Sequence, residues 1–211
     1  MTSSHSSTAI ASRPRAGSPR SLEPITDGAK VVAGFTTYPG ELAPLANELD
    51  FPVFRHRPGT VRNFFANNVA FATGAFTGYP ELPMFHGQCQ VLALQLLATH
   101  ISIVHAPTAR VTHAWPDSPR AWLEVRLLRG ADTSSLLPHV LGHYVPRVAR
   151  VTNKLGRAPA LAVLAGRAIT GSVKALRTHH RAKGLALVAG VTLLDGIGCA
   201  AAPLVYRYLN A

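Results

Sequence analysis

The pattern of apolar and polar positions changes period several times along this chain. Lys30-Val-Val-Ala-Gly-Phe-Thr-Thr-Tyr38 is β-branched and aromatic and runs into Pro39-Gly40, which predicts a strand closed by a turn. Residues 41–50 predict a short helix, distorted at Pro44, and residues 61–71 a strand or extended loop. Residues 89–99 join good helix formers to heavy apolar content and predict a largely buried helix. Two short extended runs follow, 101–105 and 110–114, parted by Ala106-Pro107-Thr108. The next helix is punctuated at both ends. Ser118 suits the N-cap, Pro119 the first helical position and Gly130 the position just past the end, so its body is 120–129, with Trp122, Leu123 and Leu127 for the core.

Beyond Asp132 the pattern turns mixed apolar and basic, interrupted by Pro138, Pro146 and Pro159. Residues 184–206 then form an apolar run of about 23 residues, near the length that crosses a bilayer. Asp195 and Pro203 are its awkward members. A charge at mid-span costs about 3 kcal/mol on insertion scales, which the remaining residues offset. Arg177, Arg181 and Lys183 precede the run and Arg207 follows it, so the charge bias places the preceding flank on the cytoplasmic side. The same run also reads as the buried helix of a soluble domain; a membrane-embedded or membrane-lying helix is the expectation taken forward.

Composition narrows the picture. At 47% hydrophobic and 15% charged, most of the 211 residues do not form a disordered polymer. Residues 1–28 are the exception, rich in Ser, Pro, Arg and Gly with no apolar signal core; they read as a disordered tail, and a transit peptide also fits them. Cys89 and Cys199 lie far apart, which excludes a disulfide framework and suits a reducing compartment. The net charge of +11 is uneven: residues 1–132 hold eleven Lys/Arg and nine Asp/Glu (+2), residues 133–211 ten and one (+9). A basic segment interleaved with apolar runs points to an anionic membrane surface or to nucleic acid.

Three blocks in residues 62–133 carry a resemblance. They are Asn67-Asn-Val-Ala-Phe71; residues 87–96, followed by 101–107 and the P-x-A-x-V-x-H run Pro107-Thr-Ala-Arg-Val-Thr-His113; and residues 119–132, ending Arg126-Leu-Leu-Arg-Gly-Ala-Asp132. Together, in this order and spacing, they resemble the second half of the catalytic domain of family 2 glycosyltransferases. The match covers roughly a third of the chain. The resemblance implies an α/β fold: a partial GT-A-like nucleotide-diphospho-sugar transferase domain at 29–133, followed by a basic, helical, membrane-associated region at 134–211. It implies transfer of a sugar from a nucleotide-sugar donor to a lipid-linked or polysaccharide acceptor, with the catalytic part on the cytoplasmic side of a membrane.

Such a reaction must stabilise a leaving diphosphate, for which a divalent metal (Mg or Mn) and Arg or Lys are suited. It must also deprotonate the acceptor, normally with a carboxylate. Here the family's acidic pair falls on Gln88 and Cys89. A thiol with an ordinary pKa near 8.5 is a poor base for a sugar hydroxyl. His86 is the nearest substitute, so Cys89 and His86 are the catalytic candidates. By the same resemblance Asn67, Asn68, Trp115, Arg126, Arg129 and Asp132 are candidates for acceptor or substrate binding, and His113 for a metal ligand. Each has a blander reading: Arg126 and Arg129 share a helix face that solvent would suit, Asp132 caps a turn, paired asparagines favour turns, and a lone histidine ends a strand. His86, Cys89, His100, His105 and His113 also invite a zinc reading, but no second compact pair accompanies His86-x-x-Cys89.

The family's donor half is missing from the pattern. No Asp-x-Asp occurs in the sequence and no βαβ unit precedes Val31. The expectation is therefore a truncated chain, a misplaced start or a donor half on a separate polypeptide, and a chain inactive alone. The rival readings are a non-catalytic membrane-associated protein and a nucleic-acid binder. The pI near 10.6 suggests the latter, but no recognisable nucleic-acid module is present, so nucleic acid is not an expected partner.

Overall fold

The computed structural model describes residue 25 and residues 27–50 and 59–209. The disordered tail expected at 1–28 lies largely outside the described residues; Ile25 packs beside Val32, Ala106 and Ala109. The fold is α/β. Its first layer is a mixed sheet built on a parallel pair, β1 (Val31–Thr37) and β4 (Ile103–Thr112). The edge strands are antiparallel to their neighbours: β2 (Gly59–Val61) on β4 and β3 (Val69–Phe71) on β1, giving the order β2-β4-β1-β3. Nearly all of β1 is buried, which is why its sequence is a continuous apolar and β-branched run rather than an alternating one.

Val31 and Ala33 face a cluster with Phe64, Ile103 and the inner side of α2 (Gln88–Ala98), supplied by Leu92, Ala93 and Leu96. The expected strand at 61–71 is two short edge strands with a turn between them. The two extended runs expected at 101–105 and 110–114 are one strand, β4. Gly34 pairs with Ala106 and Phe35 with Arg110, so residues 107–109 bulge out of the ladder. Pro107, which has no N–H to donate, sits in that bulge and is tolerated there. Helix α1 (Ala43–Asp50) begins beside Pro44, which occupies the first turn instead of distorting the middle.

The second layer is helical. Ser118 caps α3 (Pro119–Tyr144), its Oγ accepting from the Ala121 N–H at 3.1 Å. The helix does not stop at Gly130 as its sequence suggested. It continues for another fourteen residues, Ala131 to Tyr144, so the domain boundary expected at 133/134 falls inside one helix. A short α4 (Pro146–Thr152) turns the chain into α5 (Ala158–Leu176), which is followed by α6 (Arg181–Ala200) and α7 (Ala202–Leu209). The apolar run at 184–206 is thus two helices, broken before Pro203. Helix α6 is long and apolar enough to cross a membrane by length and composition. In the fold its inner face packs on α3, α5 and α1, with Val188 and Val191 against Leu45, Leu49 and Ala175.

Gly130 has a tertiary reason to be glycine. A Cβ there would lie 2.1 Å from the Asp195 carbonyl oxygen, and a Cβ on Gly198 would lie 2.1 Å from that of Leu127. The backbones of α3 and α6 touch at these two points, and that contact outweighs the cost of a helical glycine, about 1 kcal/mol. Gly130→Ala and Gly198→Ala are each expected to destabilise by about 1–3 kcal/mol, as overpacking does. Gly142→Ala, on the same α3 with open space around it, is expected to stabilise by up to about 1 kcal/mol. Urea unfolding of the three variants checks this contrast.

Candidate functional site

The carboxyl ends of β1 and β4 lie side by side, the place where open α/β sheets bind ligands. Tyr38 follows β1 directly. Its ring stacks on Trp115 at 4.2 Å and meets the His113 ring edge-on at 5.4 Å. The Trp115 indole N–H donates to the Pro39 carbonyl at 3.0 Å, which ties the end of the β4 connection to the turn after β1. Asn47 fixes the same corner: its Oδ1 accepts from the Tyr38 N–H at 2.9 Å and its Nδ2 donates to Thr37 Oγ1 at 2.7 Å.

Behind this aromatic corner is a buried charge cluster. The Tyr38 hydroxyl donates to Asp50 Oδ2 at 2.9 Å. Asp50 Oδ1 accepts from Arg126 Nη1 at 2.6 Å and pairs with Arg129 Nη1 at 2.7 Å. Arg126 also grips Asp195 through Nε at 2.8 Å and Nη2 at 2.5 Å, a bidentate geometry. Arg167 of α5 approaches the same Asp195 at 3.9 Å and donates to the Leu49 carbonyl. Burial alone would raise the Asp50 carboxyl, but Arg129 and Arg126 overcome it and hold the group well below the usual carboxylate range. Burial first, then the Asp50 charge, push the Tyr38 phenol up to about 12. Against Leu49, Arg167, Thr192 and Asp195 lies a cleft of about 10 Å³, room for a single water.

One turn further along α3, Asp132 builds a second centre. Its buried carboxylate accepts from the backbone N–H groups of Phe85 (2.9 Å) and His86 (2.5 Å) and from the Tyr206 hydroxyl of α7 (2.8 Å). His86 Nδ1 faces the same carboxylate at 3.6 Å and is itself buried, while 41% of the side chain is exposed, so the opposite edge of the ring meets solvent. The imidazole is held beside the acid through its own backbone N–H, with Nδ1 making no hydrogen bond to it.

The residues picked from sequence fall into distinct roles. Arg126 spends its guanidinium on two carboxylates and is 3% exposed, so it has no donors to offer a diphosphate; Arg129, 22% exposed at its side chain, keeps a solvent-facing portion. Asn68 bridges the sheet at its bulge, Nδ2 donating to the Phe35 and Ala109 carbonyls at 3.1 and 3.0 Å, a close approach that Gly34 permits. Asn67 is exposed and accepts from Thr36 Oγ1 at 3.3 Å. Cys89, in the first turn of α2, packs against the Val31–Phe64–Leu92 cluster, and burial pushes its thiol up, away from a base's range. His113 donates from Nδ1 to the Ala114 carbonyl at 2.7 Å. Sequence reasoning passed over Tyr38 and Asp50 as site residues. The lone acid Asp195 was noticed only as an oddity in an apolar run, although an acid so placed demands a buried cation.

Among the described residues no three His, Cys, Asp or Glu side chains form a group able to hold a metal ion. Nothing matches this chain among protein-family models, curated proteins or solved structures.

Removing one partner of the buried cluster strands a charge. Asp195→Asn is expected to cost about 3–5 kcal/mol, whereas Arg126→Met combined with Asp195→Leu, which removes that pair and leaves Asp50 to Arg129, is expected to cost less; denaturant melts decide. The pH dependence has two arms. Asp50 has a lowered pKa in the fold, so its stabilisation is complete above about pH 4 and is lost as pH falls further. Tyr38 has a raised one, so its contribution is complete below pH 10 and is lost as pH climbs toward 12. Phenolate absorbance titration should show a tyrosine ionising near 12 that disappears in Tyr38→Phe.

Proposed function

We propose that this chain forms the acceptor-binding side of a glycosyl-transfer site of the GT-A, family 2 type, working at a membrane on a lipid-linked or polysaccharide acceptor. The observation that carries the reading is the meeting of Tyr38, His113 and Trp115 with the Asp50–Arg126–Arg129 cluster at the carboxyl ends of the parallel strands. An aromatic face beside fixed polar groups is the usual platform for a sugar ring, which offers C–H bonds on one side and hydroxyls around its rim. Exposed apolar side chains on α6, Leu193 and Ile197 among them, support the membrane part of the reading.

In this reading His86 is the base. The acceptor hydroxyl gives its proton to the exposed ring nitrogen, its oxygen bonds to the anomeric carbon, and the bond from that carbon to the donor diphosphate breaks. Asp132 steadies the imidazolium so formed, and Arg129 is the cation placed for the departing anion. Cys89 then has a packing role. No Asp-x-Asp, the family's metal-holding pair, occurs in the sequence, so the reading assigns this chain the acceptor side and no donor site.

The test is a titration of the purified chain with oligosaccharides and a short polyprenyl-phosphate-linked sugar, read by calorimetry. A saturable change at or below about millimolar ligand, lost in Trp115→Phe and kept in His86→Ala, is expected. Nucleotide sugar alone should give no change and no turnover. Absence of any saturable response to the glycan and glycolipid probes, or tight nucleotide-sugar binding, overturns the reading.

A further inference from the structure

The stretch from the end of α3 through α4 and the 3-10 turn after it (Asn153–Leu155) carries two rows of side chains that the fold leaves outside. Val145, Val148, Val151 and Leu155 recur every three or four residues and are 42–62% exposed. Arg147, Arg150 and Lys154 recur at the same spacing beside them and are also exposed. Ala149, between the rows on the opposite side, is buried and holds the helix down. An exposed apolar row is costly in water, and one adjoining a row of cations is the pattern of a helix that lies in a lipid interface.

The charges around this row identify the occupant. Residues 133–211 contain one carboxylate side chain, Asp195, and it is buried against Arg126. Elsewhere in the helical layer Lys183 is partnered by Glu41 and Lys174 by Glu48, while Arg177, Arg181 and Arg207 are exposed at helix ends. Arg147, Arg150 and Lys154 have no carboxylate within 4 Å among the described residues. A second copy of the chain would bring the same cations to the contact and meet repulsion. Nucleic acid would satisfy the cations and leave the valine row in water. An anionic bilayer satisfies both rows at once.

We propose that residues 145–155 are a membrane-docking ridge, with the valines and Leu155 entering the acyl boundary of an anionic leaflet and Arg147, Arg150 and Lys154 among its headgroups. The inference rests on the membrane part of the proposed function and is independent of the sugar chemistry.

Flotation of the full chain with phosphatidylcholine vesicles, with and without added phosphatidylglycerol, tests it. Binding should need phosphatidylglycerol and weaken with salt. Both Arg147→Glu/Arg150→Glu/Lys154→Glu and Val148→Ser/Val151→Ser/Leu155→Ser should lower it at least about tenfold while leaving the glycan titration unchanged. Val151→Trp supplies a reading independent of any folding defect in the triple variants: its emission should shift blue and be quenched by brominated phospholipid. Equal binding to neutral vesicles, unchanged binding by either triple variant, an unquenched Val151→Trp, or a concentration-dependent dimer that hides the ridge overturns the proposal. Loss of glycan binding with vesicle binding intact sinks the sugar reading alone.

Discussion

Arg126 is a guanidinium with almost no access to water, and the fold is arranged so that this is tolerable. An isolated charge in a protein interior carries a desolvation penalty of several kcal/mol. Here it is met by Asp50 from the end of α1 and Asp195 from the middle of α6, 76 and 69 residues away in sequence. Those two bonds fix the sheet layer and the helical layer against α3 at the same point. A buried ion pair is a poor source of net stability compared with apolar packing, and in some proteins it specifies one arrangement over others. In this molecule the arrangement specified is the rotation of α6: with Asp195 turned inward, Gly198 and Gly130 fall at the backbone crossing and Val188 and Val191 reach Leu45 and Leu49.

That geometry explains what was legible in the sequence. Strand β1, helices α1 and α2 and the start of α3 are written in local signals: a β-branched run before Pro-Gly, strong helix formers, a Ser-Pro cap. The features that were misread are those decided from far away. Gly130 has the appearance of a helix stop, but it is a crossing point whose partner lies near residue 195. Pro107 looks like a break between two strands, but the parallel partner β1 carries the ladder across the bulge. Residues 184–206 look like one run, but it breaks into two helices before Pro203, of which α6 alone keeps a membrane-crossing length and apolar character.

The candidate site divides in the same way. Trp115 and His113 were visible because they end a predicted strand, and Arg126 and Arg129 because a helix places them on one face. Their meaning was not, since the partners that distinguish a saturated structural cation from a partly open one are Asp50 and Asp195. Asp132 and His86 were both noted but as separate candidates. Only the backbone bonds from Phe85 and His86 to Asp132 make them one unit.

The excess of positive charge in the last third of the chain likewise changes meaning once the partners are known. Counted along the sequence, ten cations against one acid form a uniform basic tail. In the fold they divide by what they face. Arg167 is drawn inward to Asp195, and Lys174 and Lys183 reach across to Glu48 and Glu41 on and before α1 in exposed pairs of little energetic weight. Arg147, Arg150 and Lys154 turn outward beside the exposed valines of α4, while Arg177, Arg181 and Arg207 turn outward at the ends of other helices. Near α4 the cations and the apolar side chains recur at matched spacing, which is the combination a lipid surface rewards and bulk water does not.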